Sequence, residues 1–284
     1  MPPSPTVRTS LFFLTMLMHL LFIRHGESVD NVAGLYGGSR DAVLTAHGVL
    51  QVQRLALSLV ESKLEVKHIF SSNLERASKT ARAICDAQNK AHSSALTVVQ
   101  LAELREKHFG NWEGVKYSPG PTEHRPTQTG AETLESLKAR ANDFLEKHLL
   151  PVLTTRVIES EKSCVVVVSH GISLGVLTLA LAKKLRSTDG SLNQLPSTKI
   201  SWSNTGYLDL VVKGSNGAIG DVVAGGSPWF GLNFSILQTN CTQHLKGLRK
   251  TRGGIGSIAH DEKQRTIKGY FVAPSRKRKA GDVF

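Results

Sequence analysis

The stretch His19-Leu-Leu-Phe-Ile-Arg24-His25-Gly26-Glu27-Ser28 decides the fold prediction for this chain. It is an apolar run that stops at an Arg-His-Gly triplet, a pattern that indicates a buried strand of a parallel sheet. A second segment has the same design, because Cys164-Val-Val-Val-Val-Ser169 is followed by His170-Gly171. Ligands of open α/β sheets bind beyond the carboxyl ends of the strands. We therefore expect Arg24, His25 and His170 to meet at one edge of the sheet.

These residue types suit an anionic phosphoryl group. A neutral imidazole can attack phosphorus, while a guanidinium binds two phosphate oxygens in a fork. The alternative is structural, because a single histidine after a strand is more often a hydrogen-bonded scaffold residue than a catalytic one. Two histidines at matching strand ends, one of them preceded by arginine, favour the chemical interpretation.

Several further motifs follow in an order that resembles one known family, the phosphoglycerate-mutase-like branch of the histidine phosphatase superfamily. The resemblance covers roughly residues 19 to 210. Each motif alone is weak evidence, whereas the ordered set is strong. The motifs are Arg24-His25-Gly26-Glu27-Ser28, Asn31, Leu44-Thr45 with Gly48, Ser71-Ser72-Asn73-Leu74-Glu75-Arg76-Ala77, Glu103-Leu-Arg-Glu106-Lys-His-Phe-Gly110-Asn-Trp112-Glu-Gly114, and Ser169-His170-Gly171.

The resemblance implies a role for each matching residue. His25 matches the family nucleophile, which becomes a phosphohistidine, and Glu106 matches the general acid and base. Glu103 competes with Glu106 for that role, and only the spacing to the His-Phe-Gly turn favours Glu106. We expect no metal and no cofactor, because positively charged and imidazole groups neutralise the phosphate. The residues that the resemblance implies for phosphate binding are Arg24, Asn31, Arg76 and His170, and it implies a catalytic role for His170 as well.

The alternation of apolar runs and amphipathic segments predicts an α/β fold, with three layers and a mostly parallel central sheet flanked by helices. We expect an N-terminal extension over residues 1–18, a catalytic domain over 19–240 and a basic, disordered tail over 241–284. Strands are predicted at 19–24, 67–71, 97–101, 164–169 and 206–213. Helices are predicted at about 45–62, 75–89, 131–150 and 172–185.

The loop from Lys116 to Gly130 is predicted to set substrate specificity, because the corresponding region of the resembled family covers the substrate. This chain lacks the adjacent arginine pair that cofactor-dependent mutases carry there, which favours a phosphatase acting on a small phosphorylated substrate or a phosphoprotein. The alternatives are a phosphoglycerate mutase, or a phosphatase fold with a silent pocket that serves as a binding module and is recruited to a nuclear assembly through its tail. Phe109, Trp112 and Tyr117 are interpreted either as an apolar pocket wall or as ordinary core residues.

The N-terminal apolar run from Leu11 to Ile23 resembles the hydrophobic region of a secretory signal. Its second half is the predicted catalytic strand, however, and the run is too short for a transmembrane helix. We therefore expect no membrane partner. The three cysteines have no metal-like spacing, and reduced thiols favour a cytoplasmic or nuclear protein.

The basic charge is concentrated at the C-terminal end. Residues 241–284 contain 11 Lys and Arg against 3 Asp and Glu, a net charge of +8, whereas the whole chain carries +12. We interpret this end as a nuclear localisation signal rather than a direct nucleic-acid ligand, because aromatic residues do not interleave with the charges. Within residues 264–271 the chain resembles the PIP box, a peptide that binds a sliding clamp, through Gln264, Ile267, Tyr270 and Phe271.

Overall fold

The computed structural model describes residues 15–118, 127–155, 162–187, 200–215, 227–250 and 255–261. Seven strands form one sheet in the order β3-β2-β4-β1-β6-β7-β5. Strand β6 is antiparallel to both of its neighbours, and the other pairs are parallel. This confirms the predicted mostly parallel sheet. The strands are β1 (Thr15–Arg24), β2 (Glu65–Ser72), β3 (Val98–Leu101), β4 (Ser163–Ser169), β5 (Arg186–Ser187), β6 (Tyr207–Ser215) and β7 (Leu232–Cys241).

Helices cover both faces of the sheet, which gives the predicted three layers. Successive side chains of a strand point to opposite faces. Leu20 and Phe22 of β1 accordingly join one core cluster, whereas Leu21 and Ile23 join the other. The first cluster packs against α4 and α6, and the second against α2 and α3. The helices are α1 (Val29–Ala33), α2 (Ala46–Glu61), α3 (Glu75–His92), α4 (Leu134–Phe144), α5 (Leu150–Thr154) and α6 (Gly171–Lys184).

The helix predicted over 131–150 differs from the observed one at both ends. It begins at Leu134, because the Thr133 side chain caps it by accepting a hydrogen bond from Ser136 N. A π-helical turn over Leu145–Leu149 then joins α4 to α5 directly before Pro151. Proline lacks the N–H that a regular helix would need at this position.

Strand β7 was not predicted. Its residues alternate imperfectly between apolar and polar, and its C-terminal half is partly exposed. The strand forms because β6 supplies an antiparallel partner, from Gly214 opposite Leu232 to Tyr207 opposite Cys241. Its existence therefore depends on a neighbouring strand rather than on a local apolar run.

Described residues on both sides of the range 19–240 take part in strands or backbone hydrogen bonds. Strand β1 begins at Thr15, four residues before the predicted domain start. At the other end, the Ala46 N–H donates to Ile258 O and the His260 N–H donates to Leu44 O. Residues 255–261 therefore pack on the start of α2, where the sequence predicted a disordered tail from residue 241. The predicted clamp-binding residues Gln264, Ile267, Tyr270 and Phe271 lie outside the described residues, and that interaction stays a prediction.

The apolar N-terminal run is seen as a strand over its described part. Residues 15–24 form the central strand β1. None of the helices in the described ranges is long and apolar enough to cross a membrane.

Gly48 in the first turn of α2 allows this helix to approach the loop after β1. A Cβ atom at this position would lie 2.1 Å from the backbone carbonyl oxygen of Glu27, which cannot move aside easily. A Cβ at Gly175, within α6, would meet no atom within 4 Å. The two glycines therefore have different structural roles.

We expect Gly48→Ala to lower the free energy of unfolding by about 1–3 kcal/mol, because the methyl group overpacks this contact. Gly175→Ala is the matched control and should raise it by about 0.5–1 kcal/mol, since alanine has the higher helix propensity. Urea unfolding followed by circular dichroism measures both changes. Equal effects of the two substitutions would contradict the close approach.

Candidate active site

The two His-Gly motifs meet at the carboxyl ends of the central strands. Strands β1 and β4 pair in parallel, with Arg24 opposite Ser169. The His25 N–H extends this pairing by donating to Ser169 O at 3.1 Å. The rings of His25 and His170 lie with their centroids 5.0 Å apart. Both histidines therefore occupy one edge of the sheet.

The His25 ring is held in one orientation. Its Nδ1 lies 2.7 Å from Gly26 O, so the Nδ1–H donates to that carbonyl group. The Gly26 N–H in turn donates to Thr80 Oγ1, which anchors this short turn to α3. The remaining ring nitrogen, Nε2, accepts a hydrogen bond from Arg76 Nε at 3.3 Å. The Nε2 lone pair of His25 therefore points towards the guanidinium group of Arg76.

The electrostatic surroundings keep the His25 imidazole neutral. Burial lowers the pKa of His25 well below its usual value, and the nearby guanidinium groups of Arg76 and Arg24 lower this pKa further. The hydrogen bond to Gly26 O acts in the opposite direction but is the smallest of these effects. The neutral tautomer that carries its proton on Nδ1 leaves Nε2 unprotonated, and Nε2 can then act as a nucleophile.

His170 is a second buried, neutral imidazole. Burial again lowers its pKa well below the usual value, followed by the effect of the Arg76 guanidinium. Its Nε2 lies 2.9 Å from Ser72 Oγ, and that oxygen accepts a hydrogen bond from Leu74 N. We infer that the Ser72 hydroxyl donates to Nε2, so that Nδ1 carries the proton. Nδ1 is buried and has no hydrogen-bond partner among the described residues.

Arg24 and Arg76 supply the positive charge of the site. Arg76, in the first turn of α3, is buried and donates to Gly38 O at 2.8 Å and to Arg40 O at 2.6 Å. Arg24, the last residue of β1, donates through Nη1 to Trp202 O. Its Nε is buried without a hydrogen-bond partner in the described part of the chain. Burial lowers the pKa of both arginines, but a guanidinium keeps its proton in proteins.

The Asn31 amide is oriented by two donors. Its Oδ1 accepts from Ser28 N, as part of the capping box of α1, and from Asn204 Nδ2 at 3.0 Å. Asn204 also donates to the carbonyl oxygen of His25 at 3.2 Å. Because both donors occupy the Asn31 oxygen, its Nδ2 amino group is left to interact with a ligand.

Glu106 lies across the site at the N-terminus of α6. Its Oε1 accepts from Ser173 N at 3.1 Å and its Oε2 from Ile172 N at 3.2 Å. These helix N-terminal N–H groups have no partners within the helix and favour an anionic group. The carboxylate is therefore fixed beside the two arginines.

Arg140 of α4 holds the backbone that carries Glu106. Its guanidinium donates to the carbonyl oxygens of Glu103 at 2.7 Å, Arg105 at 2.6 Å and Glu106 at 3.2 Å. It also forms a two-pronged ion pair with Glu132, at 2.7 and 3.0 Å. One side chain therefore fixes three backbone carbonyl groups within residues 103–106, the segment that carries Glu106.

A cavity of about 230 Å³ lies at this edge of the sheet. His170 is fully buried and does not line it. Among the described residues, Glu106 lines this cavity and Glu103 does not, so the geometry favours Glu106 over its competitor for chemistry in it. The predicted residues Arg24, His25, Asn31 and Arg76 line it as well. The remaining lining residues are Ser28, Asp30, Leu35, Tyr36, Gly37, Gly38, Phe109, Tyr117 and Ile172.

The fold thus brings together the residues that the motifs predicted. Sequence reasoning missed several residues that hold these side chains in place. Asn204 and Arg140 were not predicted, because each acts through backbone or amide groups distant in sequence and belongs to no quoted motif. The aromatic residue Tyr36 was missed too. The Asn-Thr-Gly turn immediately before β6 was a signal that could have pointed to Asn204.

Comparisons with known proteins agree with this geometry. Residues 20–207 match the family described as the histidine phosphatase superfamily (branch 1). A probable phosphatase of Schizosaccharomyces pombe is 33% identical over 256 residues, which cover 87% of this chain and 77% of that protein. A 2,3-bisphosphoglycerate-dependent phosphoglycerate mutase of Allorhizobium ampelinum is 28% identical over 186 residues, covering 61% and 84%.

A solved mycobacterial structure, a glucosyl-3-phosphoglycerate phosphatase, has the same fold. It superposes with a TM-score of 0.58 and 22% identity, over 79% of this chain and 99% of that one. The family match covers well over half of the chain. The chain therefore belongs to the histidine phosphatase superfamily, branch 1.

The lowered pKa values of His25 and His170 make stability depend on pH. In the unfolded chain these histidines take up protons near pH 6.5, whereas the folded protein keeps them neutral to lower pH. The unfolded state therefore binds more protons in this window, and their contribution to stability is present above pH 6.5 and lost as pH falls below it.

We expect the free energy of unfolding to fall by about 1 kcal/mol for each of the two histidines between pH 7.5 and pH 5.5. Urea titrations across this range measure the decrease. His170→Gln removes one titrating group, so its curve should fall less steeply than that of the unchanged protein. Parallel curves would contradict a neutral, buried His170.

Proposed function

We propose that this protein hydrolyses phosphate monoesters through a phosphohistidine on His25. The Nε2 lone pair of His25 attacks phosphorus, an N–P bond forms and the ester P–O bond breaks. Glu106 enters this first step as the carboxylic acid and gives its proton to the leaving oxygen, which makes it a carboxylate. Water then attacks phosphorus, gives a proton to the Glu106 carboxylate and breaks the N–P bond. Inorganic phosphate and neutral His25 are the products of this second step.

One observation carries the proposal, namely the state of the His25 ring. Its Nδ1–H is bound to Gly26 O, and burial beside Arg76 and Arg24 keeps the ring neutral. Nε2 therefore carries a lone pair without prior loss of a proton. In the structure this lone pair accepts from Arg76 Nε, and it becomes available to phosphorus when Arg76 Nε donates to a phosphoryl oxygen instead. A nucleophile of this kind needs no separate base for the first step, since the imidazole is already in its reactive form.

Donors around His25 suit a tetrahedral, negatively charged phosphoryl group. Arg24 Nε and His170 Nδ1 are buried and unpaired among the described residues. A buried polar group without a partner is costly, so these atoms favour a ligand that supplies acceptor oxygens. The Asn31 amino group and the Arg76 guanidinium lie on the same cavity and add two further donors. Preorganised donors of this kind stabilise charge that develops in the transition state.

Glu106 suits the acid and base role through its fixed position. Its carboxylate lines the cavity, and its backbone is held by Arg140. Both steps of the proposed reaction need one carboxyl group that first donates a proton and later accepts one. A carboxyl group that is anchored in this way keeps the same position and orientation in both steps.

Two alternatives lead to different outcomes at this same site. A phosphoglycerate mutase would return the phosphoryl group from His25 to an acceptor hydroxyl instead of water, and one of the relatives carries that name. A phosphatase-fold binding module would have a silent pocket. Phosphate release, conversion of 3-phosphoglycerate to 2-phosphoglycerate and the absence of both distinguish the three functions.

His25→Ala is expected to lower the rate of p-nitrophenyl phosphate hydrolysis by at least about a thousandfold, because the nucleophile is removed. His92→Ala is the control, since His92 is an exposed histidine at the end of α3. Acid-labile incorporation of labelled phosphate into the unchanged chain should accompany turnover. Hydrolysis that survives His25→Ala would refute the proposal, and isomerisation of 3-phosphoglycerate faster than its hydrolysis would favour the mutase.

Glu106→Gln should lower steady-state turnover by about 10²–10⁴-fold on esters with poor leaving groups, because no proton reaches the leaving oxygen. With 2,4-dinitrophenyl phosphate, whose leaving group needs no proton, a rapid burst of phenolate should persist, followed by slow dephosphorylation. Stopped-flow absorbance separates the two phases. Glu103→Gln is the matched control and should behave as the unchanged protein, whereas the reverse pattern would assign the acid to Glu103.

A further inference from the structure

Two loops, residues 34–36 and 115–117, are joined by backbone contacts and form one wall of the cavity beyond the phosphate-binding residues. Tyr36 N donates to Val115 O at 2.9 Å, and Tyr117 N donates to Gly34 O at 2.6 Å. An isolated bridge between Leu35 and Lys116 completes the pairing. These backbone contacts fix the side chains of both loops relative to His25. The wall is therefore a built part of the site.

This wall is aromatic. The Tyr36 ring lies 4.9 Å from that of Phe109 and 5.3 Å from that of Tyr117, measured between centroids. The centroid of the Trp112 ring lies 5.5 Å from that of Tyr36, and Trp112 does not line the cavity. The sequence left open whether Phe109 and Tyr117 belong to the pocket or to the core. Both line the cavity, so the pocket interpretation is confirmed for these two residues.

Apolar surface remains open to solvent across this cavity. Tyr117 is 57% exposed, and Ile172 at the first turn of α6 is 43% exposed, yet both line the cavity. Large apolar side chains gathered and exposed at one place usually mark a binding surface. A ligand group inserted between Tyr117 and Ile172 would remove apolar surface on both sides from water.

Among the described residues that line the cavity, charge is confined to the end where the phosphate is proposed to bind. Among its described lining residues the only cations are Arg24 and Arg76, which are anchored beside His25. The acidic lining residues are Asp30, which is paired with Arg40, and Glu106. Lys107 does not line the cavity, although its Nζ lies 5.9 Å from the centroid of the Phe109 ring. Within the described lining, a carboxylate or second phosphate on the leaving group would therefore meet apolar rings and two acidic groups. Such an anion would lose its hydration without gaining a partner.

We propose that the preferred substrates are phosphate monoesters of apolar alcohols that carry a ring, with the ring held between Tyr117 and Ile172. This inference rests on the proposed phosphatase function and names its substrate class. It disfavours phosphorylated sugar acids and bisphosphates, which require additional cations. The ring would contact the face or edge of Tyr117, geometries in which aromatic pairs attract.

The test compares alkyl esters whose leaving oxygens are chemically alike, so that differences report binding rather than leaving-group reactivity. We expect kcat/KM for 2-phenylethyl phosphate to exceed that for ethyl phosphate by about ten- to a hundredfold, from the apolar area buried. 3-Phosphoglycerate should be hydrolysed more slowly than ethyl phosphate. A ratio near one, or a preference for 3-phosphoglycerate, would overturn the inference and leave the proposed hydrolysis standing.

Substitutions of Tyr117 test whether the aromatic wall causes the preference for 2-phenylethyl phosphate over ethyl phosphate. Tyr117→Ser should reduce the ratio of the two kcat/KM values by about fivefold or more, whereas Tyr117→Phe should retain it, because the ring and not the hydroxyl makes the contact. Phe230→Ser, at an exposed aromatic residue outside the cavity, should keep the ratio. A ratio unchanged in Tyr117→Ser would overturn the assignment. If neither ester showed His25-dependent hydrolysis, the proposed function would fail and the inference with it.

Discussion

The parallel pairing of β1 with β4 is the constraint on which the site depends. Residues of the two strands lie opposite one another from His19 and Cys164 to Arg24 and Ser169, and the His25 N–H continues the pattern. A shift of one residue would turn each buried side chain of β1 to the other face of the sheet. Because both faces are packed by core clusters, this register is strongly specified. The relative position of His25 and His170 is therefore set by the apolar side chains that precede them.

The site itself concentrates positive charge and unpaired donors in a buried place. Two guanidinium groups lie beside two neutral imidazoles, and burial opposes the charge on each arginine. Backbone carbonyls of Gly38, Arg40 and Trp202 compensate for part of the lost hydration. The phosphate that we propose as ligand would supply partners for the remaining donors, Arg24 Nε and His170 Nδ1. Buried polar groups without a partner lower the stability of the folded protein, and functional sites commonly contain such groups.

Much of the fold and the site could be predicted from the sequence because the decisive signals are local. The apolar runs of β1 and β4 identify the central strands, and the motifs that follow them identify Arg24, His25 and His170. Strand β7 could not be predicted, because its polar residues become a strand only beside β6. The same holds for the supports of the site. Arg140 and Asn204 are ordinary residues until the fold brings backbone carbonyls and the Asn31 amide to them.

Residues 255–261 belong to the basic C-terminal region, and they pack against the start of α2. The first N–H groups of a helix have no partners within the helix, and Ile258 O supplies one for Ala46. Lys250 binds the Glu27 carboxylate, which also accepts from Thr45, the residue that caps the same helix. Glu27 lies two residues after His25. Residues beyond 240 therefore contact both the start of α2 and the Glu27 side chain, and so brace from outside the loop that carries His25.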